Sequence, residues 1–163
     1  MTRVAVLADT HLKRGSARRL PAAALAEAAA ADVILHAGDV TIPEALDELA
    51  RLAPVHAVLG NNDAELVGAL PERLELVLGG VRVALVHDSG ASAGRAGRLR
   101  RWFPHAALVV FGHSHQPLDA AGAGGQILFN PGSPTERRRA PRHTMGRLLL
   151  RDGAVLERRL VEL

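Results

Sequence analysis

At 163 residues and 48% apolar, the chain is long enough to bury a core as one domain spanning residues 1–163. Having no cysteine, it has no disulfide, no thiolate metal site and no Cys nucleophile; three Phe, one Trp and no Tyr leave few faces for stacking bases or sugars. The net charge of +3 is carried almost wholly by arginine, which permits attraction to phosphates without singling out nucleic acid.

Arg3 to Ala8 reads as a short buried strand that stops at Asp9-Thr10-His11. Its apolar run is too short for a signal peptide or a membrane span, so a cytoplasmic protein without membrane association is expected. A polar, arginine-bearing loop follows, and Pro21 opens an alanine-rich helix to about Ala31. Val33 to Ala37 is a second buried strand ending in Gly38-Asp39. Thr41 reads as the N-cap of a helix from Glu44 to Leu52, with Pro43 near its start and Glu44 completing a capping box. Val55 to Leu59 is a third strand, ending in Gly60-Asn61-Asn62-Asp63. This alternation predicts parallel, right-handed α/β connections. Leu74–Leu78 and Val81–Val86 flank Gly79-Gly80 as a hairpin, and the second strand ends in His87-Asp88. Ser92 to Phe103 reads as a basic helix leading into the strand Ala106–Val110, after which come Gly112-His113-Ser114-His115. Antiparallel strands are then expected at Leu118–Ala120, Gln126–Phe129, Thr144–Leu150 and Ala154–Leu160. The predicted architecture is two β-sheets in the middle with helices outside.

Collected from the strand ends are Asp9, His11, Asp39, Asn61, His87, His113 and His115. Ligands of open α/β sheets bind outside the carboxyl ends of the strands, where all seven lie. An Asp after a strand is often a helix cap, and a lone His is usually structural. Five strand ends all finishing in metal-capable side chains argue otherwise. Two carboxylates, four imidazoles and one amide oxygen, without sulfur, exceed one tetrahedral zinc and suit two borderline divalent ions sharing a ligand.

Asp9-x-His11, Gly38-Asp39, Gly60-Asn61-x-Asp63, His87 and Gly112-His113-x-His115, in that order, resemble the calcineurin-like metallophosphoesterases. The closest likeness is to their small bacterial and archaeal phosphodiesterase branch, which Asn130-Pro131-Gly132-Ser133 also resembles. The resemblance spans nearly the whole chain and implies an α/β, four-layer α-β-β-α sandwich. It implies that Asp9, His11 and His115 hold one metal, that Asn61, His87 and His113 hold the other, and that Asp39 bridges them. Two ions about 3.5–4 Å apart can stabilise the attacking and leaving oxygens of an in-line displacement, with a bridging hydroxide available near neutral pH. Manganese is the expected ion, with iron, nickel, cobalt and zinc also suited to imidazole and carboxylate.

Two positions depart from the family pattern. Asn62 stands where many members carry a histidine; it can hydrogen-bond a phosphate but cannot act as a proton donor. Asp39, Asn61, Asn62 and His87 therefore form the expected catalytic set, and Asp63 is either a proton donor or a supporting turn residue. Asp88 replaces a glycine, and either crowds the site or orients an imidazole. His36 reads as a hydrogen-bonded structural residue, His56 and His105 as surface or strand-end residues, and His143 as a minor candidate for substrate contact. The arginines at 137–139 read as a solvated loop with an alternative phosphate-facing role. The expected function is phosphodiester hydrolysis of a small phosphate ester. The alternatives are a phosphomonoesterase, a non-catalytic metal-binding scaffold such as the related retromer subunit, and, least favoured, a nucleic-acid-binding module. An antiparallel edge strand offers a surface for homo-oligomer pairing.

Overall fold

A computed structural model describes residues 1–163. The first sheet runs in the order β10-β9-β1-β2-β3. Its strands are β1 (Thr2–Leu7), β2 (Val33–His36), β3 (Val55–Ala57), β9 (Thr144–Arg151) and β10 (Ala154–Glu162). β1, β2 and β3 are parallel neighbours, while β9 is antiparallel to β1 and β10 to β9. The second sheet, in the order β4-β5-β6-β8-β7, uses β4 (Arg73–Leu78), β5 (Val81–Val86), β6 (Leu108–Val110), β7 (Leu118–Ala121) and β8 (Ile127–Asn130). Here β5, β6 and β8 run parallel, with β4 and β7 antiparallel at the edges.

Strand alternation sorts the apolar residues into three layers of contact. On β1, Val4 and Val6 face the second sheet and pack with Val33, Leu35, Val83, Leu85, Leu108, Val110 and Phe129. Ala5 and Leu7 face the other way, against Ala24 and Ala28 of α1 (Ala22–Ala29) and Ala45 and Leu49 of α2 (Pro43–Ala50). Ala84, Val86 and Val109 turn outward onto Leu99 of α3 (Arg95–Trp102) and Phe103. The result is the α-β-β-α sandwich. No helix is long and apolar enough to cross a membrane.

Three local expectations need correction. Thr41 does not cap α2: its φ is +77°, its hydroxyl turns to the Leu12 and Val40 carbonyls, and the cap position is Ile42. Glu44 accordingly makes no capping box; its carboxylate accepts hydrogen bonds from Arg14, 2.7 and 2.8 Å away. α3 begins at Arg95 because Gly94 adopts φ +70° and the preceding turn is held by the Arg98 guanidinium on the Ser89 and Ala91 carbonyls. β3 ends at Ala57, since Leu59 donates instead to the Pro71 carbonyl at 2.8 Å. The Gly79-Gly80 hairpin forms as expected, with φ of +55° and +80°.

Candidate metal centre

The loops after β1, β2 and β3 meet those after β5 and β6 because both sheets present parallel carboxyl ends on the same side. Backbone hydrogen bonds zip these loops together: Asp9 to the Gly38 carbonyl, His11 to the Asp39 carbonyl and Gly112 to the His87 carbonyl, each at 3.0 Å. Asp9, His11, Asp39, His113 and His115 all have φ between +43° and +70°. A side-chain-bearing residue in this left-handed region costs on the order of 1–2 kcal/mol. Such strain, repeated at five of the seven residues singled out, turns their side chains inward off the strand ends.

The glycines of these loops are there for space. A Cβ on Gly38 would lie 2.7 Å from His87 Nδ1, and one on Gly112 would lie 2.9 Å from the Ala8 Cβ and 3.0 Å from Asp9 Oδ2. A Cβ on Gly60 would overlap the Asp39 backbone nitrogen and Oδ1.

All seven predicted side chains come together. Asp39 Oδ2 lies 3.3 Å from His11 Nε2 and 3.4 Å from His87 Nε2, between the two halves of the cluster. On one side His11 and His115 bring their Nε2 atoms within 3.3 Å, and Asp9 Oδ1 is 3.5 Å from His115 Nε2. On the other, Asn61 Oδ1 sits 3.0 Å from His87 Nε2 and 3.2 Å from His113 Nδ1. The donor atoms of Asp9, His11 and His115 lie within 4.8 Å of one another, as do those of Asp9, Asp39 and His87. Five of the seven side chains are all but buried, whereas His113 and Asn61 open to solvent.

A second layer aims these groups. His87 Nδ1 donates to the Ala37 carbonyl at 2.7 Å, and His115 Nδ1 donates to the Glu136 carbonyl, so each ring leaves Nε2 free for the centre. Asp63 is buried and accepts backbone N–H bonds from Asp39, Thr41 and Gly60 at 2.6–2.9 Å. Both its oxygens are thereby engaged, which favours support of the loop over proton donation. Asn62 donates from its backbone N–H and its amide to the two oxygens of Asp39, at 2.9 and 2.8 Å. Asp88 Oδ2 approaches His113 Nε2 to 3.9 Å and leaves His87 uncrowded. Asn130 donates to the Gly112 carbonyl, and the Ser133 hydroxyl donates to the Asp9 carbonyl at 2.7 Å, so the Asn130–Ser133 turn buttresses the ligand loops.

Glu136 and Arg18 escaped the sequence reading. Arg18 donates to the His11 carbonyl at 3.2 Å and to Glu136 at 2.7 Å, joining the loops of His11 and His115. Glu136 meets His115 through its backbone carbonyl, a contact that no residue identity announces. His105 is exposed and His56 half-buried on β3.

The electrostatics of the cluster suit cations. Burial, helped by the Asp39 charge, pushes the Asp9 carboxyl up to about 7, and its buried Oδ2 has no hydrogen-bond partner. Burial works against the Asp39 carboxylate, yet hydrogen bonds and charge from His87, with those from Asn62, hold it well below the usual range. Burial opposes the charge on His87 too, and Asp39 reverses the balance and raises it; burial, helped by the Arg138 charge, lowers His11 and His115. An orphaned carboxylate oxygen among converging imidazoles fits divalent ions, which would displace these protons on binding.

His36 is fully buried and outside the cluster. Gly38 N–H donates to its Nδ1 at 3.2 Å, so Nε2 carries the proton and faces the Thr10 hydroxyl at 3.1 Å. Burial lowers its pKa to about 3. Between the unfolded value of about 6.5 and that value, only the unfolded chain takes up this proton, so stability falls as the pH drops through the window and is untouched above it. His36→Asn keeps an acceptor for Gly38. Its urea midpoint should lose less on going from pH 7 to pH 4 than that of the wild type; parallel declines would refute this.

Comparison with known proteins gives a consistent picture. The sequence profile of the calcineurin-like phosphoesterase superfamily domain matches residues 2–153. A protein named "probable metallophosphoesterase" from Methanothermobacter thermautotrophicus is 35% identical over 134 residues, covering 81% of this chain and 77% of its own length. One of the same description from Methanocaldococcus jannaschii is 36% identical over 135 residues, covering 81% of this chain and 68% of its own. Among solved structures, Vps29 from Entamoeba histolytica complexed with zinc superposes with a TM-score of 0.76 over 98% of each chain at 23% identity, a likeness of fold.

Proposed function

The chain belongs to the calcineurin-like phosphoesterase superfamily, and from that premise we propose that it is a phosphodiesterase dependent on two divalent ions. The observation that carries this reading is Asp39 Oδ2, 3.3 Å from one group's histidine and 3.4 Å from the other's, where a single carboxylate can serve two ions. Asp9, His11 and His115 would hold one ion, Asn61, His87 and His113 the second, and Asp39 both. When bound, the pair supplies positive charge at the phosphate and brings the pKa of water down to roughly 7.

The remaining work falls to the protein. Ala37 and Glu136 fix the ring orientations of His87 and His115. Asn62 steadies Asp39 by donating to both of its oxygens. With asparagine there and Asp63 occupied by three backbone N–H groups, the cluster lacks a proton donor for a poor leaving group. Space supports a diester: one cavity of about 280 Å³ adjoins Asn61 and His87, and another of about 480 Å³ adjoins Ser114, giving a substituent room on either flank. A scaffold role is disfavoured because all seven ligand side chains are retained and oriented.

Metal-stripped protein given back Mn²⁺ should cleave bis-p-nitrophenyl phosphate in preference to p-nitrophenyl phosphate. Turnover of the monoester alone would favour the phosphomonoesterase. Two ions bound with neither ester cleaved would favour the scaffold.

A further inference from the structure

The cations around the centre divide sharply by what they already hold. Arg14 is spent on Glu44 and Glu65, Arg18 on Glu136 and the His11 carbonyl, and Arg98 on three carbonyls. Within the arginine run, Arg137 closes its own loop by donating to the Ala140 carbonyl at 2.8 Å. Arg138 and Arg139 remain. Arg138 comes no nearer to Glu136 than 3.7 Å, too far for a hydrogen bond, and both side chains are exposed.

These two arginines, with Ser114 and Gln116, line the cavity of about 480 Å³, which has no apolar side chain. Ser114 lies between His113 and His115 in the chain, which sets the cavity on the flank of the cluster. The Arg138 charge reaches the cluster as well, since it lowers Asp9, His11 and His115 alike. The opposite flank has a different character: beside Asn61 and His87 stand Glu72, Asp88 and Arg73, the last stacked 4.1 Å over Trp102. One side of the centre is therefore cationic, its two arginines free of hydrogen bonds, and the other is mixed.

We propose that Arg138 and Arg139 bind a second anionic group on the substrate, a terminal phosphate carried on the substituent that extends from the centre toward Ser114. This rests on the phosphodiesterase reading. It makes the preferred ester one with an anionic end and an uncharged end, since Glu72 and Asp88 would repel a second phosphate on the far flank. Two planar guanidinium forks side by side match the oxygens of a phosphate, and acting together on one group they are worth roughly a tenfold change in affinity or more.

The test compares the p-nitrophenyl ester of thymidine 5′-phosphate with the same diester bearing a 3′-phosphate. Alongside, calorimetry compares thymidine 3′,5′-bisphosphate with thymidine 5′-phosphate, in Mn²⁺. Wild type should favour the 3′-phosphorylated compound of each pair by about tenfold or more, through KM in the kinetic arm. Arg138→Ala and Arg139→Ala should each remove most of that preference, and Arg138→Lys with Arg139→Lys should retain part of it. Equal binding of the two nucleotides by wild type, or a preference that survives both alanine variants, would overturn the proposal. If neither diester is cleaved but the binding preference is present and arginine-dependent, the pocket stands and the phosphodiesterase reading falls.

Discussion

Asp39→Asn should cut diester turnover by at least about 10³-fold and lower the ions bound from two to one or none. The size of the effect follows from position. No other carboxylate oxygen lies within 3.5 Å of an imidazole nitrogen from each half of the cluster. Asparagine offers one neutral oxygen where two charges are to be shared, and its amide hydrogens would face groups that must remain free to coordinate. The fold should lose little beyond one of the two hydrogen bonds from Asn62. The side chains are nearly isosteric, and the backbone bond from residue 39 to Asp63 at 2.9 Å does not involve the changed group. Ion stoichiometry by elemental analysis, bis-p-nitrophenyl phosphate turnover and a thermal melt in chelator would be measured together. A variant that holds two ions and keeps a tenth of the activity would refute the bridging role.

Gly60→Ala should be nearly as damaging by a different route. The backbone here is not in the left-handed region, so glycine is required for space, since the new methyl would overlap Asp39. Overpacking of this kind costs about 1–3 kcal/mol. Whatever relief the loop finds must displace Asp39 or Asn61, and a shift near 1 Å at such a site loses on the order of 10²-fold in rate. Gly68→Ala is the comparison: φ is +83° but nothing lies within 4 Å of the added atom. It should carry the conformational strain alone and leave ion binding intact. Equal ion affinity in Gly60→Ala and wild type would remove the argument.

Much of the site was legible because chemistry and position coincide in it. Asp, His and Asn follow apolar runs directly, and an open sheet exposes those points on one edge. The two sheets were legible for the same reason, since buried strands such as Leu108–Val110 are apolar on both faces. What escaped was whatever depends on contacts between distant loops. Thr41 has the composition of an N-cap, yet the turn following Asp39 takes its hydroxyl elsewhere. The start of α3 was set by Arg98 folding back over Ser89. Glu136 acts on His115 through a carbonyl that any residue would possess, and the left-handed conformations of Asp9, His11 and Asp39 leave no mark in residue type beyond the tolerance of aspartate. The glycines at 38, 60 and 112 were visible as strand breakers, but their crowding was not.

The proposed ligands come from both sheets: Asp9, His11, Asp39 and Asn61 from the first, His87, His113 and His115 from the second. No portion of the chain before residue 87 holds both halves, and neither sheet alone offers more than a fraction of the donors. On the two-ion proposal, affinity for the pair would be a property of the docked sandwich. A molecule in which the sheets have slipped or parted would then be silent in catalysis and poor in metal together, so ion loading would report on completed folding. Each bound ion in turn resists parting of the sheets by RT ln(1 + [ion]/Kd). Divalent ion supply would then set how long the folded chain survives as well as how fast it works.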